Sequence, residues 1–274
     1  MPELPEVQTV VNHLRKHIVG KSILSIKSPN KYTRVFGSYT LNECNRFLFK
    51  KHVENIRRRG KYIIFDLNQG HFLYHLRMTG KLILQLSKAK DIKYVSAKLS
   101  FDDNSELFFK DVRKFGRFGL IKDRMELAEK LGVDPVGSGF TPKTFREIMH
   151  SRKRQVKALL LDQGIIAGLG NIYIDEVLWE CGIHPQKLSY NIKEGKCDQI
   201  HGSIVDLLRT AIKYGGTTIK DFGYQNGGVG EFRSKLKVYG QKDKPCERCG
   251  KSIERIIAAG RATWICSNCQ KGPN

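Results

Sequence analysis

Two pairs of cysteines near the C-terminus constrain the fold of this chain more than any other feature. Each pair has the spacing Cys-x2-Cys, and sixteen residues lie between the pairs. Four thiolates at this spacing can form the closed tetrahedral shell of a structural zinc ion. We therefore predict one bound Zn²⁺, with four ligands: Cys246, Cys249, Cys266 and Cys269. Because a closed shell has no open position for water, the metal is predicted to be structural and not catalytic.

The remaining cysteines, Cys44, Cys181 and Cys197, stand alone in the sequence. Isolated cysteines suit a reducing cytosol better than a disulfide framework, and a redox or iron–sulfur role for the paired cysteines is the alternative to zinc. The sequence has no apolar run of membrane-spanning length and no signal-peptide core at its N-terminus. We expect a cytoplasmic protein with no membrane partner.

The chain also carries a large excess of positive charge. Its 274 residues include 48 Lys and Arg against 27 Asp and Glu, which gives a formal net charge of +21. A surplus of this size favours a polyanionic partner, of which nucleic acid is the default choice. The alternative is a generally basic protein whose charges are scattered over a solvated surface.

The periodicity of the sequence predicts several regions of different secondary structure. Apolar residues at helical spacing predict an N-terminal helix, and the short β-rich runs that follow predict an antiparallel sandwich or barrel. The predicted strands are 22–27, 62–66, 71–75, 81–86, 97–101, 106–110 and 117–121, and the predicted helices further along are 145–150, 156–161, 172–180 and 197–214. Between the cysteine pairs, 253–257 and 262–265 are predicted to form a hairpin with Gly260 and Arg261 in its turn.

These regions predict an α+β multidomain protein. The predicted domains are 1–130 (N-terminal helix and β-sandwich), 131–142 (linker), 143–234 (helical domain with a glycine-rich loop) and 235–274 (zinc finger).

The first six residues place a potential nucleophile beside two carboxylates. Removal of Met1 would make Pro2 a free secondary amine, and an α-amino group with a pKa of roughly 8 is partly neutral near neutral pH. Such an amine can form a Schiff base with an aldehyde or a sugar C1′. Glu3 and Glu6, three residues apart on the predicted helix, can both face this amine and transfer protons. The alternative is that the prolines start the helix and the glutamates stabilise its positive end.

Other segments have residue types that suit contacts with a nucleic acid. The basic run 57–61 and the turn 168–171, which precedes a helix, suit phosphate binding, as does Arg261 at the predicted hairpin tip. For the basic run, protection of an edge strand is the alternative. Met78 and the segment 113–116 end or link strands, where a thioether, a guanidinium and an aromatic ring can insert into a base stack. Packing in the core is the alternative for Met78 and for the aromatic ring.

Taken together, these segments resemble the bacterial formamidopyrimidine-DNA glycosylase family, within the Fpg/endonuclease VIII superfamily. The resemblance runs nearly from end to end. It rests on PELPEV at 2–7, RRGKY at 58–62, HLRM at 75–78, DVRKFG at 111–116, AGLGNIYIDEVLW at 167–179, KVYG at 237–240 and AGRATWIC at 259–266.

The resemblance implies a bifunctional glycosylase and abasic-site lyase of base excision repair. Such an enzyme excises oxidised purines, namely 8-oxoguanine and formamidopyrimidines, and cuts the strand by β,δ-elimination. In the matching motifs, Pro2 is implied as the nucleophile that forms a Schiff base, Glu3 as the group that assists proton transfer, and Lys61 as the lysine near the lesion. No diffusible cofactor is implied.

The resemblance also implies a helix–two-turns–helix domain and a set of contacts with double-stranded DNA containing oxidised bases or abasic sites. Met78, Arg113 and Phe115 match the residues that fill the space left by a flipped base. Asn171 and Arg261 match phosphate contacts, and Lys157 matches another basic position of the DNA-facing helical region. A monomer is expected, associated with the nucleoid of a bacterium.

Two segments depart from the family pattern. Where the family has a histidine-rich stretch resembling KHDH, this chain has Lys-Asp-Ile-Lys-Tyr at 90–94, so Lys93 or Tyr94 is expected to replace a histidine contact with phosphate. The loop at 223–230 has the approximate length of the family's lesion-covering loop but a different sequence, which makes the preferred lesion harder to assign.

Two alternatives to this function differ in chemistry. An endonuclease VIII-like enzyme would excise oxidised pyrimidines, but that branch has glycine at the position of Leu4. A non-catalytic zinc-containing DNA-binding protein would not need Pro2, Glu3 and Lys61 together.

Overall fold

The computed structural model describes residues 1–86, 92–121, 130–217 and 230–272. The chain divides into two compact units. The first contains residues 1–128 and 215–231, and the second contains residues 129–214 and 232–274. The helical region and the cysteine-rich region therefore belong to one compact unit. All but the last residue of the predicted lesion-covering loop at 223–230 lies outside the described residues.

The first unit begins with helix α1, Leu4–Ile18. Its apolar side chains repeat at helical spacing and are buried: Leu4, Val7, Val10, Val11, Leu14 and Ile18. This face packs against strand β2, Val53–Arg59, so burial of apolar area fixes the position of the N-terminus relative to the sandwich.

Most of the other described residues of the first unit form two antiparallel four-stranded sheets, ordered β1-β6-β7-β5 and β2-β3-β4-β8. The strands are Ile23–Lys27 (β1), Val53–Arg59 (β2), Tyr62–Leu67 (β3), His71–His75 (β4), Gly80–Gln85 (β5), Val95–Phe101 (β6), Glu106–Asp111 (β7) and Arg117–Ile121 (β8). Apolar side chains of both sheets and of α1 form one continuous core. The prediction of an antiparallel β-sandwich is confirmed.

One strand and one α-helix that the structure describes in this unit were not predicted. Strand β2 ends in three arginines, and these charged residues obscure the alternation by which a strand is recognised. Helix α2, Leu41–Leu48, begins with a capping box in which Thr40 and Glu43 exchange hydrogen bonds.

The second unit is helical at its core. Its helices are Pro142–His150 (α3), Val156–Leu161 (α4), Asn171–Glu180 (α5) and Glu194–Lys213 (α6). Helix α6 packs on α3 and α5, while α5 also packs on the hairpin of strands β9, Glu254–Ala258, and β10, Arg261–Ile265. The predicted α+β multidomain fold with a helical domain and a four-cysteine finger is confirmed.

Short 3-10 helices occupy Thr33–Phe36, Ser189–Asn191 and Glu231–Lys235. Among the residues that the structure describes, no helix is both long enough and apolar enough to cross a bilayer.

Candidate active site and nucleic-acid interface

The N-terminus is held in place by hydrogen bonds at the start of α1. Pro2 and Glu3 are buried, and Glu3 is the residue that caps the helix rather than part of its first turn. The backbone N–H of Glu3 donates to Oε2 of Glu6 over 2.9 Å, as one half of a capping box. The residue that follows Pro2 is therefore fixed by the helix itself.

The second carboxylate oxygen of Glu6 reaches a distant part of the chain. Oε1 accepts the backbone N–H of Thr217 at 2.8 Å and the Thr217 hydroxyl at 3.1 Å. Gly216 has a φ of +81°, and a Cβ there would lie 2.6 Å from Glu6 Oε1, so this approach requires glycine. Because these donors occupy Glu6, we assign it to holding Glu3, whereas the sequence suggested a second proton-transfer group facing the amine.

Lys61 lies in the two-residue turn between β2 and β3. Its side chain is buried, and the preceding residue, Gly60, has a φ of +56°. Arg58 donates to Gln8 Oε1 of α1 at 2.9 Å and to the Gly60 carbonyl at 3.1 Å, which links the helix to this turn. Arg57 forms an ion pair with Asp66 at 2.9 Å. Two arginines of the basic run thus make contacts within the protein.

His75, to which the sequence assigned no role, lies close to Lys61. It lies opposite Tyr62 in the sheet, with the two ring centroids 4.6 Å apart. Burial, followed by the charges of Arg77 and Lys61, lowers the pKa of His75 to about 4. Its Nδ1 accepts the Arg77 backbone N–H at 3.1 Å, so the neutral ring carries its proton on Nε2. The HLRM motif contains this histidine, but only its burial beside two cations reveals its charge state.

Met78, Arg113 and Phe115, hereafter the wedge residues, come together at one end of the sandwich. Arg113 Nη1 is 3.3 Å from Met78 Sδ, and the Arg113 guanidinium carbon is 4.8 Å from the centroid of the Phe115 ring. Met78 is 49% exposed and Phe115 is 46% exposed. Neither side chain is a core residue, so the core alternative is wrong for both. A cation between a thioether and an aromatic ring forms a compact projecting group.

In the second unit, Asn171 begins helix α5 after a glycine turn. Its Nδ2 donates to the Ala262 carbonyl at 2.7 Å, which joins the helix start to the cysteine-rich hairpin. Its Oδ1 is buried and finds no hydrogen-bond partner among the described residues.

The hairpin turn consists of Ala259 and Gly260, both with positive φ, and Arg261 is the first residue of β10, paired with Ala258. Arg261 is exposed beside the turn, not within it as predicted.

Lys157 is completely buried, which argues against the predicted contact of its side chain with DNA. Its ammonium lies 2.5 Å from Asp175 Oδ1 and 2.7 Å from Thr263 Oγ1. The other oxygen of Asp175 accepts the backbone N–H of Trp264 at 3.1 Å. Lys157 therefore joins α4 and α5 to the hairpin. The sequence alone does not reveal whether a lysine such as Lys157 faces solvent or bonds to a carboxylate inside the protein.

The four paired cysteines meet at one point. Their sulfur atoms all lie within 4.8 Å of one another, and three separations are 3.4, 3.6 and 3.9 Å. A tetrahedral shell with Zn–S bonds of about 2.3 Å places its sulfurs about 3.8 Å apart, so the cluster fits zinc. Trp179 Nε1 lies 3.4 Å from Cys246 Sγ and donates a hydrogen bond to it. The cluster is therefore tied to α5.

Comparison with known proteins places this chain among its relatives. It is 39% identical to the formamidopyrimidine-DNA glycosylase of Streptococcus mutans and 39% identical to that of Bacillus licheniformis, in each case over 99% of this chain and 100% of the relative. The chain belongs to the formamidopyrimidine-DNA glycosylase family. The family models that match are the formamidopyrimidine-DNA glycosylase N-terminal domain at 1–118, the formamidopyrimidine-DNA glycosylase H2TH domain at 131–223, and the zinc finger found in FPG and IleRS at 243–272.

Solved structures agree with this membership. The chain resembles the wild-type Lactococcus lactis enzyme in complex with DNA containing N7-benzyl-Fapy-dG, with a TM-score of 0.90 and 39% identity over 99% of this chain and 100% of that one. It also resembles a family member in complex with DNA containing carbocyclic 8-oxo-G, with a TM-score of 0.89, 38% identity and the same coverage. The predicted family and the predicted DNA-repair glycosylase are thereby confirmed.

Proposed function

We propose that this glycosylase excises oxidised purines from double-stranded DNA and cleaves the resulting abasic site, with Pro2 as its nucleophile. The observation that carries the proposal is the hydrogen-bond network of Glu3, Glu6 and Thr217, which fixes the backbone directly after Pro2. A nucleophile on a fixed backbone can be held in the geometry for attack at low entropic cost. The PELPEV motif at this position supports the same assignment.

The chemistry requires that Met1 be removed, because the nitrogen of Pro2 is an unreactive amide while Met1 is attached. The free amine attacks C1′, the bond from C1′ to the base breaks, and the base leaves with the electron pair and a proton. The sugar ring then opens: the C1′–O4′ bond breaks, O4′ takes up a proton, and the nitrogen lone pair forms an iminium with C1′. This iminium makes the C2′ proton acidic. Loss of that proton breaks the C3′–O bond, a second elimination breaks the C5′–O bond, and hydrolysis of the imine restores the amine.

Three groups of the first unit suit supporting roles in these steps. Glu3, next to Pro2 in the sequence, is assigned the transfer of protons to and from the sugar. Lys61, which is buried in the turn between β2 and β3, is assigned the binding of an anionic group near the lesion. His75 stays neutral near pH 7 and offers Nε2–H as a hydrogen-bond donor to a phosphate oxygen.

Access to C1′ requires that the damaged nucleotide leave the base stack. The exposed wedge residues can fill the space that the flipped nucleotide leaves. The Phe115 ring can enter the base stack, and the Arg113 guanidinium can donate hydrogen bonds to the orphaned base, which is the base opposite the lesion. Exposed Arg261 and the start of α5 at Asn171 suit phosphate contacts. The net charge of +21 supports binding of DNA, which we expect the protein to do as a monomer.

The four-cysteine cluster is proposed to bind one structural zinc ion. Cys246, Cys249, Cys266 and Cys269 would hold it, and the metal would keep the β9–β10 hairpin folded so that Arg261 stays in position. The zinc would stabilise this part of the fold and take no part in bond breaking.

The first test of the proposal keeps the chain intact and changes only the state of the Pro2 nitrogen. A protein with a removable N-terminal extension has an acylated Pro2, and proteolysis that ends before Pro2 frees the amine. We expect no excision of 8-oxoguanine before proteolysis and full excision afterwards. Equal activity in both forms would contradict the role of Pro2.

The second test concerns the lesion class, since the Lactococcus lactis enzyme has also been solved with DNA containing an oxidised pyrimidine. Single-turnover rates are compared on matched duplexes with 8-oxoguanine, a formamidopyrimidine or an oxidised pyrimidine. We expect faster release of the two purine lesions. A faster rate on the pyrimidine would favour the endonuclease VIII-like alternative, and binding without release of any base would favour a non-catalytic protein.

A further inference from the structure

Beneath the wedge residues, one buried carboxylate receives hydrogen bonds from two different loops. Asp111, at the end of β7, is 1% exposed. Its Oδ1 accepts the Thr79 hydroxyl at 2.5 Å and the Arg113 backbone N–H at 3.2 Å, and its Oδ2 accepts the Gly116 backbone N–H at 2.6 Å. The loop that contains Met78 and the loop that contains Arg113 and Phe115 are thus bonded to the same side chain.

Thr79 adds a second link between these loops. Its Oγ1 donates to Asp111 and also accepts the backbone N–H of Arg113 at 3.2 Å. Thr79 directly follows Met78, so its hydroxyl links the backbone next to Met78 to the backbone N–H of Arg113. The two loops cannot shift relative to each other without breaking these hydrogen bonds.

The local backbone has little freedom to compensate for a broken link. A Cβ on Gly80 would lie 2.4 Å from the Leu76 carbonyl oxygen, and a Cβ on Gly116 would lie 2.3 Å from the Phe109 ring. Lys114, between two wedge residues, has a φ of +57°. A left-handed conformation is costly for a residue with a side chain and persists where surrounding contacts impose it. Asp111, which bonds on both sides of Lys114, makes such contacts.

We propose that Asp111 and Thr79 act as a clamp that sets the geometry of the wedge residues before DNA binds, and that this clamp determines the preference for the base opposite the lesion. The proposal rests on the function proposed above, in which Arg113 contacts the orphaned base. A guanidinium discriminates between bases only if its donors have a fixed position relative to the base edge. A preformed wedge also avoids the entropic cost of ordering two loops on binding. Asp111 and Thr79 are positioning residues, since they act through Arg113 and Met78.

The test replaces the Thr79 hydroxyl and leaves the volume of the side chain nearly unchanged. Single-turnover excision of 8-oxoguanine is measured opposite cytosine and opposite adenine, together with cleavage of a preformed abasic site. We expect Thr79→Val to reduce the cytosine-to-adenine rate ratio about fivefold, because it removes the hydrogen bond to Asp111 and one of the two acceptors of the Arg113 N–H. Abasic-site cleavage should fall by a smaller factor, because no base has to be expelled. Thr79→Ser, which keeps the hydroxyl, should retain the ratio of the wild type.

Two controls separate positioning from loss of fold. Thr210→Val makes the same chemical change at an exposed position of α6 and should leave the ratio unaltered. Melting temperatures of all variants are compared to verify that each is folded at the assay temperature. An unchanged ratio in Thr79→Val, or a serine variant as altered as the valine variant, would overturn the clamp.

A second measurement tests the clamp in the absence of DNA and does not depend on excision. The chain has 4 methionines, so the ¹³C-methyl resonance of Met78 can be assigned by substitution. We expect Thr79→Val to shift and broaden this resonance, whereas Thr79→Ser and Thr210→Val should not. An unperturbed Met78 resonance in Thr79→Val would overturn the clamp, whether or not the protein excises oxidised bases. Failure to excise any oxidised base would instead contradict the proposed function.

Discussion

At the scale of single residues, charge states follow from burial and from near neighbours. His75 is neutral near pH 7 because its ring is buried and because Arg77 and Lys61 lie close to it. A neutral histidine with its proton on Nε2 can donate a hydrogen bond without adding to the large positive charge around it. The same feature makes the protein sensitive to acid.

We predict that His75 destabilises the fold as the pH falls from about 6.5 to 4. Its pKa in the folded protein is about 4, whereas the unfolded chain has the ordinary value of about 6.5, so the unfolded state binds more protons in this window. The free energy of unfolding should fall by about 2 kcal/mol between pH 7.5 and pH 5 through this residue alone. Urea unfolding at both pH values measures the effect, and His75→Gln should lose correspondingly less stability. Equal losses in the two proteins would contradict the shifted pKa.

At the scale of elements, the position of the cysteine-rich hairpin depends on buried polar contacts with α4 and α5. Lys157, Asp175 and Thr263 form one network with no exposure of the Lys157 or Asp175 side chain. Glu176 accepts three backbone N–H groups of the segment 237–239. Docking of the hairpin therefore depends on side chains of the helical region as well as on the zinc ion that the four cysteines are proposed to bind.

We predict that Lys157→Met destabilises the second unit by about 3 kcal/mol or more, because it leaves the Asp175 carboxylate buried without its cation. Adding Asp175→Asn should restore more than half of the loss, since the amide oxygen can still accept the Trp264 N–H. Chemical unfolding of the two variants measures both effects. Wild-type stability in Lys157→Met would show that the ion pair is not formed in solution.

Metal removal should be visible in tryptophan fluorescence. The chain has 2 tryptophans, and both Trp179 and Trp264 pack in the apolar cluster around the cysteines. Stripping the zinc with a chelator should unfold the hairpin, expose these rings and move their emission to longer wavelength. Cys249→Ser should give the same spectrum without a chelator. Unchanged emission after measured loss of one zinc per chain would contradict the proposed structural role.

Much of the fold could be predicted from the sequence, because periodicity and spacing are local properties. The α4 helix has the predicted bounds, and the cysteine spacing predicted a cluster that the structure brings together. What could not be predicted depends on contacts between distant residues. Glu6 meets Thr217 far along the chain, and the sequence does not reveal that Lys157 points inward to Asp175 or that Asp111 lies beneath two loops.

At the scale of the whole molecule, a net charge of +21 makes ionic strength the main control on DNA affinity. Each phosphate contact adds to the slope of log K against log salt concentration.

We predict that Arg261→Ala lowers the magnitude of this slope by about 1, since one exposed guanidinium is lost. Arg261→Lys keeps the charge and should keep the slope. The slope is measured by binding titrations between roughly 50 and 200 mM salt. Identical slopes for Arg261→Ala and the wild type would show that Arg261 does not contact a DNA phosphate.

The measurement that tests the central claim most directly is borohydride trapping followed by peptide mapping. Protein without Met1 is mixed with duplex DNA containing 8-oxoguanine, the imine is reduced, and the cross-linked peptide is identified by mass spectrometry. Our account predicts one DNA-linked peptide, joined through the nitrogen of Pro2, and none from protein whose Pro2 is acylated. A cross-link through Lys61 in place of Pro2, or strand cleavage with no trapped species, would contradict it.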